Sequence, residues 1–64
     1  MVHINGEDIN ADGRNLKEYL EENGYDLKRI AVEINENIVP KAAYADTILT
    51  TDAKIEVVSF VGGG

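Results

Sequence analysis

The chain has 64 residues, which is enough for one domain with one core and leaves little room for a deep catalytic pocket. Its apolar fraction of 44% is ordinary for a globular protein and argues against disorder. There is no cysteine, so disulfides, thiolate metal sites and a thiol nucleophile are excluded.

The charge and hydropathy of the chain limit its partners. Twelve acidic residues face six basic ones, and the formal charge of −6 disfavours nucleic acid and favours basic protein partners. No apolar run approaches the roughly 20 residues of a membrane span. The N-terminus lacks the basic and apolar regions of a secretory signal. We therefore expect a cytoplasmic protein that binds neither nucleic acid nor membranes.

The first predicted element is a β-hairpin. Residues 2–5 form a short strand, and Asn5-Gly6 is the residue pair that best provides the two positive φ angles of a tight hairpin turn. Residues 7–10 return as the second strand, which Asp12-Gly13 closes with another turn.

An amphipathic helix is predicted next, near residues 15–23. Asn15 can cap its free N–H groups, and Glu18 follows three residues later, as in a capping box. Gly24 is typical of the residue that ends a helix in the left-handed conformation. Three residues share one face of this helix: Leu16, Tyr19 and Leu20.

A second hairpin is predicted after the helix. Residues 30–35 alternate as a third strand, with Val32 and Ile34 facing inward. After a turn at residues 35–37, residues 38–39 add a short strand, which Pro40 ends because proline has no N–H for a ladder.

The last strand is predicted over residues 54–61, the most β-prone stretch of the chain. Residues 41–45 are expected to form one helical turn, and Thr51-Asp52 reads as the turn before the strand. One amphipathic helix needs one sheet face to cover it. The chain is therefore predicted to be an α+β roll with a mixed four- to five-stranded sheet, and its first and last strands can lie side by side at the centre.

No group of side chains in this sequence suggests catalysis. His3 is the only histidine and has no evident nucleophile or orienting acid, so an ordinary half-exposed residue is expected. The acidic residues lack calcium-loop spacing. The early glycines have turn or cap explanations and form no phosphate loop.

The three C-terminal glycines are the distinctive feature. Gly62, Gly63 and Gly64 have no evident folding use, since glycine loses the most entropy on ordering. They would make a thin, flexible tail that enters a narrow channel and presents the carboxylate of Gly64 without steric bulk. Because a carboxylate is inert until activated, its use requires ATP and a separate adenylating enzyme. The alternative is a frayed chain end. We divide the chain into a folded domain, residues 1–61, and this tail.

Three features of the sequence point to one protein family: its length, residues 31–35 leading into residues 38–41, and the ending at residues 55–64, which reads IEVVSFVGGG. In these features the whole chain resembles the ThiS family of sulfur carrier proteins, which have the ubiquitin-like β-grasp fold. The chain departs from the family at residues 15–20, where many members carry Thr-Val-x-x-Leu-Leu and this sequence reads Asn-Leu-Lys-Glu-Tyr-Leu.

The resemblance implies a carrier and not an enzyme. A ThiF-type adenylating enzyme, akin to ubiquitin-activating enzymes, would use ATP to activate the carboxylate of Gly64. Sulfur from a cysteine-desulfurase-derived persulfide would displace AMP and leave a thiocarboxylate. A ThiG-type thiazole synthase would use that sulfur to build the thiazole ring of thiamine. The chain itself would bind no cofactor.

The last strand also suggests a docking surface. The period of two places Val58 and Phe60 on the sheet face away from the helix, where they are costly unless they meet a partner. Ala31 and Glu33 lie on the same outer face of their strand. The opposite, helix-facing set is predicted to be Ile55, Val57 and Val61. Alternatively, Phe60 folds back over its own core.

Two other functions stay open from the sequence. The first is a related carrier, serving molybdopterin synthesis or modifying proteins as ubiquitin does, although molybdopterin carriers tend to be longer. The second is a non-covalent binding module of the same fold, in which the glycines are incidental. The acceptor enzyme and the oligomeric state of the free chain are also left open.

Overall fold

The computed structural model describes residues 1–60. Within these residues, the chain forms five strands, one α-helix and two short 3-10 segments. The strands are β1 (Val2–Ile4), β2 (Glu7–Ile9), β3 (Ile30–Ile34), β4 (Asn37–Val39) and β5 (Lys54–Ser59); the helix is α1 (Leu16–Glu22), and the 3-10 segments are Leu27–Arg29 and Lys41–Asp46. The last strand, predicted to run to residue 61, ends at Ser59, so Phe60 follows the strand and is not part of it. Three predictions lie outside the described residues: the final residue of the last strand, the inward position of Val61 and the tail at residues 62–64.

The five strands form one mixed sheet in the order β2-β1-β5-β3-β4. β5 runs parallel to β1, with His3 beside Lys54, and antiparallel to β3, with Ala31 beside Val58. The other pairs are the antiparallel hairpins β1-β2 and β3-β4. The predicted α+β sheet with its first and last strands paired is confirmed, and β5 lies at the centre of the sheet.

The core lies between the sheet and α1. The helix contributes Leu16 and Leu20, both fully buried, which confirms two of the three predicted core positions; Tyr19 is half-buried against the same core. The sheet contributes Val2, Ile4, Ile30, Val32, Ile55 and Val57, and the connecting segments add Ala11, Tyr44, Leu49 and Ala53. Burial raises the pKa of the Tyr44 hydroxyl above its ordinary value. Ile34, predicted to face inward, is half-buried against this cluster.

The ends of α1 are fixed by the residues predicted to fix them. The Asn15 Oδ1 accepts a hydrogen bond from the backbone N–H of Glu18 at 3.1 Å. At the other end Gly24 has a φ of +79°, and the N–H of Tyr25 donates to the carbonyl of Leu20 at 3.0 Å. This is the Schellman arrangement, which satisfies a helix carbonyl that would otherwise lack a partner.

Both hairpin turns place an asparagine against the central strand. Asn5 and Asn35 each have a φ of +50°, as the first central residue of a tight turn. The Asn5 Oδ1 accepts from the N–H of Val57 at 2.8 Å, and the Asn35 Oδ1 accepts from the N–H of Lys54 at 2.9 Å. These amides bond to β5 where the neighbouring strands turn away, and they hold it from both sides.

The turn that leads into β5 is tied to the start of the chain. The Thr51 hydroxyl donates to Asp12 Oδ2 at 2.6 Å, and the N-terminal ammonium lies 3.1 Å from the same oxygen. These two hydrogen bonds, that from Thr51 foremost, lower the pKa of the Asp12 carboxyl below its ordinary value. The start of the central strand is therefore anchored by the Asp12 carboxylate.

Candidate docking face

The sheet face opposite α1, called here the outer face, carries the exposed apolar residues of β5. Val58 and Phe60 are each 53% exposed, whereas Val57, directly before Val58, is buried against the helix side. This alternation follows from the period of two along a strand. Phe60 therefore does not fold back over the core, and the outward placement of both residues is confirmed.

The two predicted docking residues of β3 lie on the same face. Ala31 is directly opposite Val58, and Glu33 is directly opposite Glu56. Both are half-buried. The outer face therefore brings the four predicted docking residues together, while their role in docking stays a prediction.

The sequence reasoning missed a third apolar residue on this face. Ile38 in β4 lies opposite Glu33 and is 77% exposed. Its orientation follows from the register of the β3-β4 hairpin, because directly paired residues point to the same side. Counting outward from the turn centred on residues 35–36 would have placed it there.

Two carboxylates face each other in the middle of the outer face. Glu33 and Glu56 are a cross-strand pair, and like charges at directly opposed positions destabilise a sheet. Lys54 Nζ lies 3.7 Å from Glu56 Oε1, an exposed ion pair of small energetic value. The centre of this face therefore carries two carboxylates and one cation, which leaves it with a net negative charge.

A shallow groove of about 420 Å³ adjoins Val58 on the side of the first hairpin. It is lined by His3, Asn5, Gly6, Lys54, Ile55, Glu56 and Val58. His3 is half-exposed, as predicted, but it does have an acidic neighbour: its Nδ1 lies 2.5 Å from Oδ1 of Asp8, its partner across the first hairpin. Residues 1–60 contain no group of three or more side chains placed to hold a metal ion. The groove offers a further contact surface beside the exposed apolar side chain of Val58.

The end of β5 is fixed to the segment before β3. The backbone N–H of Phe60 donates to the carbonyl of Arg29 at 2.7 Å, which extends the pairing of β3 and β5 by one step. Gly62, Gly63 and Gly64, the predicted tail and reactive carboxylate, lie outside the described residues. Across residues 1–60 we find no helix with the length and apolar character needed to cross a membrane.

The sequence and the fold of the chain both resemble those of known proteins. The ThiS family model matches residues 1–64. The chain belongs to the ThiS family. The sulfur carrier protein ThiS of Thermus thermophilus is 41% identical over 64 residues, and the match covers 100% of both chains. The fold is likewise that of a crystal structure of the thiamine biosynthesis protein ThiS from Geobacter metallireducens, with a TM-score of 0.74, 25% identity, and coverage of 95% of this chain and 94% of that one.

Longer relatives contain a similar stretch. A thiazole synthase of Magnetococcus marinus is 41% identical over 64 residues, which is 98% of this chain and 20% of the relative. A thiazole synthase of Paramagnetospirillum magneticum is 42% identical over 62 residues, 95% of this chain and 19% of the relative. The chain thus spans about a fifth of these synthases and the whole length of the Thermus carrier. The predicted family and the ubiquitin-like β-grasp fold are confirmed.

Proposed function

We propose that this chain is a sulfur carrier of thiamine biosynthesis that holds sulfur as a thiocarboxylate on Gly64. The observation that carries the proposal is the match over its whole length to a ThiS sulfur carrier of the same extent. Such a protein presents a reactive chain end to other enzymes and is not itself a catalyst. Thiamine biosynthesis is favoured over molybdopterin synthesis because the matching family and the solved relative are ThiS proteins.

The chemistry begins with activation of the carboxylate. A Gly64 oxygen attacks the α-phosphorus of ATP in a ThiF-type adenylating enzyme, pyrophosphate leaves, and an acyl adenylate forms. The terminal sulfur of a persulfide, supplied by a cysteine desulfurase, attacks the acyl carbon, and AMP leaves with one carboxylate oxygen. A thiol then cleaves the S–S bond to the donor and releases the thiocarboxylate. This sequence needs ATP and reduced thiols, which favours the cytoplasm.

The folded part of the chain serves as the handle for this chemistry. β5 is bonded along both sides by neighbouring strands and by the amides of Asn5 and Asn35, so the direction of the chain is fixed as far as Phe60. Gly62 and Gly63 present no side chain to the walls of a channel. Nucleotide and sulfur donor would both be bound by partner proteins, so the chain needs no cofactor of its own.

A thiazole synthase of the ThiG type is the proposed acceptor. Two relatives named thiazole synthase contain a stretch like this chain within a fifth of their length. Joining a carrier-like domain to a synthase raises the effective concentration of one for the other, which supports a shared reaction. We assign the docking contact to Val58, Phe60, Ala31 and Glu33 on the outer face.

Intact-mass spectrometry tests the proposal. The chain is incubated with a ThiF-type adenylating enzyme, ATP, a cysteine desulfurase and cysteine. We expect a product heavier by the difference between one sulfur and one oxygen atom, and fragmentation should place the change on Gly64. The control is a chain that lacks Gly64, which should fold normally and stay unmodified. Sulfur on the shortened chain, or none on the full chain, would contradict the proposal.

A further inference from the structure

Half of the basic residues of this acidic chain lie close together beside the end of β5. Lys28, Arg29 and Lys41 are three of its six Lys and Arg residues, and all three are exposed. The Arg29 carbonyl accepts the N–H of Phe60 at 2.7 Å, and Lys41 Nζ donates to the Lys28 carbonyl at 3.0 Å. We call these three residues the basic rim; it lies at the root of the glycine tail.

The charge of the basic rim is only partly balanced by the chain. Arg29 Nε lies 3.6 Å from Asp26 Oδ2, an exposed pair of small energetic value. Within residues 1–60, Lys28 and Lys41 form no ion pair with a carboxylate. At the start of β5, by contrast, Lys54 and the N-terminal ammonium each lie beside a carboxylate, that of Glu56 and that of Asp12. The positive charge of the basic rim is therefore less balanced by neighbouring carboxylates than the positive charge at the start of β5.

Covalent geometry limits what the rim can touch while the tail reacts. Residues 61–64 span at most about 14 Å when fully extended. When the carboxylate of Gly64 reacts inside a partner protein, Arg29, whose carbonyl bonds to Phe60, therefore lies near the partner surface through which the tail enters. Lys28 is its neighbour in sequence and Lys41 bonds to the Lys28 carbonyl, so the folded part of the chain brings all three cations toward that surface.

We infer that the basic rim pairs with acidic side chains around the opening of the adenylating partner's tail channel. The inference rests on the proposed function. A rim charge of this kind speeds association and fixes the orientation of docking. Although the whole chain carries −6, charges are screened beyond about 8 Å at physiological ionic strength, so the local cations outweigh distant carboxylates at contact.

Charge reversal with a matched control tests this inference. Lys28→Glu and Arg29→Glu each remove one positive and add one negative charge, taking the formal charge from −6 to −8. Lys17→Glu makes the same change on the exposed side of α1, across the sheet from the outer face. The measurement is the second-order rate constant of pyrophosphate release with a purified ThiF-type enzyme and ATP, at low and at physiological ionic strength. Thermal melting of each variant confirms that it folds.

The rim variants are expected to react about tenfold more slowly than the wild type at low ionic strength, with a smaller difference at high salt. Lys17→Glu should stay near the wild-type rate. If the rim variants react as fast as Lys17→Glu while the wild type is active, the inference is overturned and the proposed function stands. If the ThiF-type enzyme releases no pyrophosphate with the wild-type chain, the proposed function is overturned, and the inference with it.

Discussion

The central residue pairs of the two hairpin turns, Asn5-Gly6 and Asn35-Glu36, differ at one position, and the difference bears on stability. Gly6 has a φ of +81° in the first turn, whereas Glu36 has a φ of +71° at the equivalent place in the second. In this left-handed region a residue with a side chain is strained by about 1–2 kcal/mol. Glycine avoids that strain, but it loses more conformational entropy on folding, which offsets part of the gain. Glu36 is therefore a strained position in the hairpin that carries two outer-face residues, Glu33 and Ile38.

Replacing Glu36 by glycine should stabilise the protein. We expect Glu36→Gly to raise the free energy of unfolding by about 0.5–1 kcal/mol, because the backbone strain is relieved. Urea unfolding measures the change. The matched control is Gly6→Ala, which should lower stability through conformation alone, since a Cβ there would meet no heavy atom within 4 Å. Equal or lower stability of Glu36→Gly would show that the turn is not strained.

Single residues also mark what sequence reasoning could and could not reach. The turns at Asn5 and Asn35 were predicted, because asparagine tolerates positive φ. That their side chains bond to Val57 and Lys54 was not, since those partners are 52 and 19 residues away and become neighbours only in the folded sheet. Local conformation was readable from local sequence, but the clamp on β5 depends on the fold.

Among the secondary-structure elements, β5 contributes its inner face to the core and its outer face to the proposed docking surface. Its inward residues Ile55 and Val57 belong to the core, and its outward residue Val58 and the adjoining Phe60 are half exposed. The strand, its facing and its central place were predicted from alternation and β propensity. The 3-10 segment Leu27–Arg29 was missed, because three residues are too few to show a period. Its absence from the prediction also hid the basic rim.

Truncating Phe60 should separate the two roles of β5. Phe60→Ala is expected to weaken association with the ThiG-type thiazole synthase about tenfold or more, as loss of an aromatic anchor does. Its effect on unfolding should stay well below the roughly 2–5 kcal/mol expected for Leu20→Ala, because Leu20 is fully buried in the core. Parallel melting and binding measurements decide the matter. Unchanged binding beside a large loss of stability would remove Phe60 from the docking face.

The whole molecule combines a small β-grasp fold with an uneven surface. α1 covers one sheet face, while the outer face presents the exposed side chains of Val58 and Phe60 and the carboxylate pair of Glu33 and Glu56. The basic rim lies beside the end of β5. The fold class and the family followed from the order of elements and the terminal glycines. The basic rim did not, because the net charge of −6 does not show that three of the six basic residues lie together beside the end of β5.

The central claim is that sulfur held on Gly64 is delivered to thiazole formation. The most direct measurement loads the chain with a heavy sulfur isotope, separates it from free sulfur donors, and supplies it to a ThiG-type thiazole synthase with the other substrates of that enzyme. The thiazole product is then analysed by mass spectrometry. The account predicts that the heavy isotope appears in the thiazole ring and that the carrier returns to its carboxylate mass. An unlabelled thiazole, formed while the carrier keeps its heavy sulfur, would contradict it.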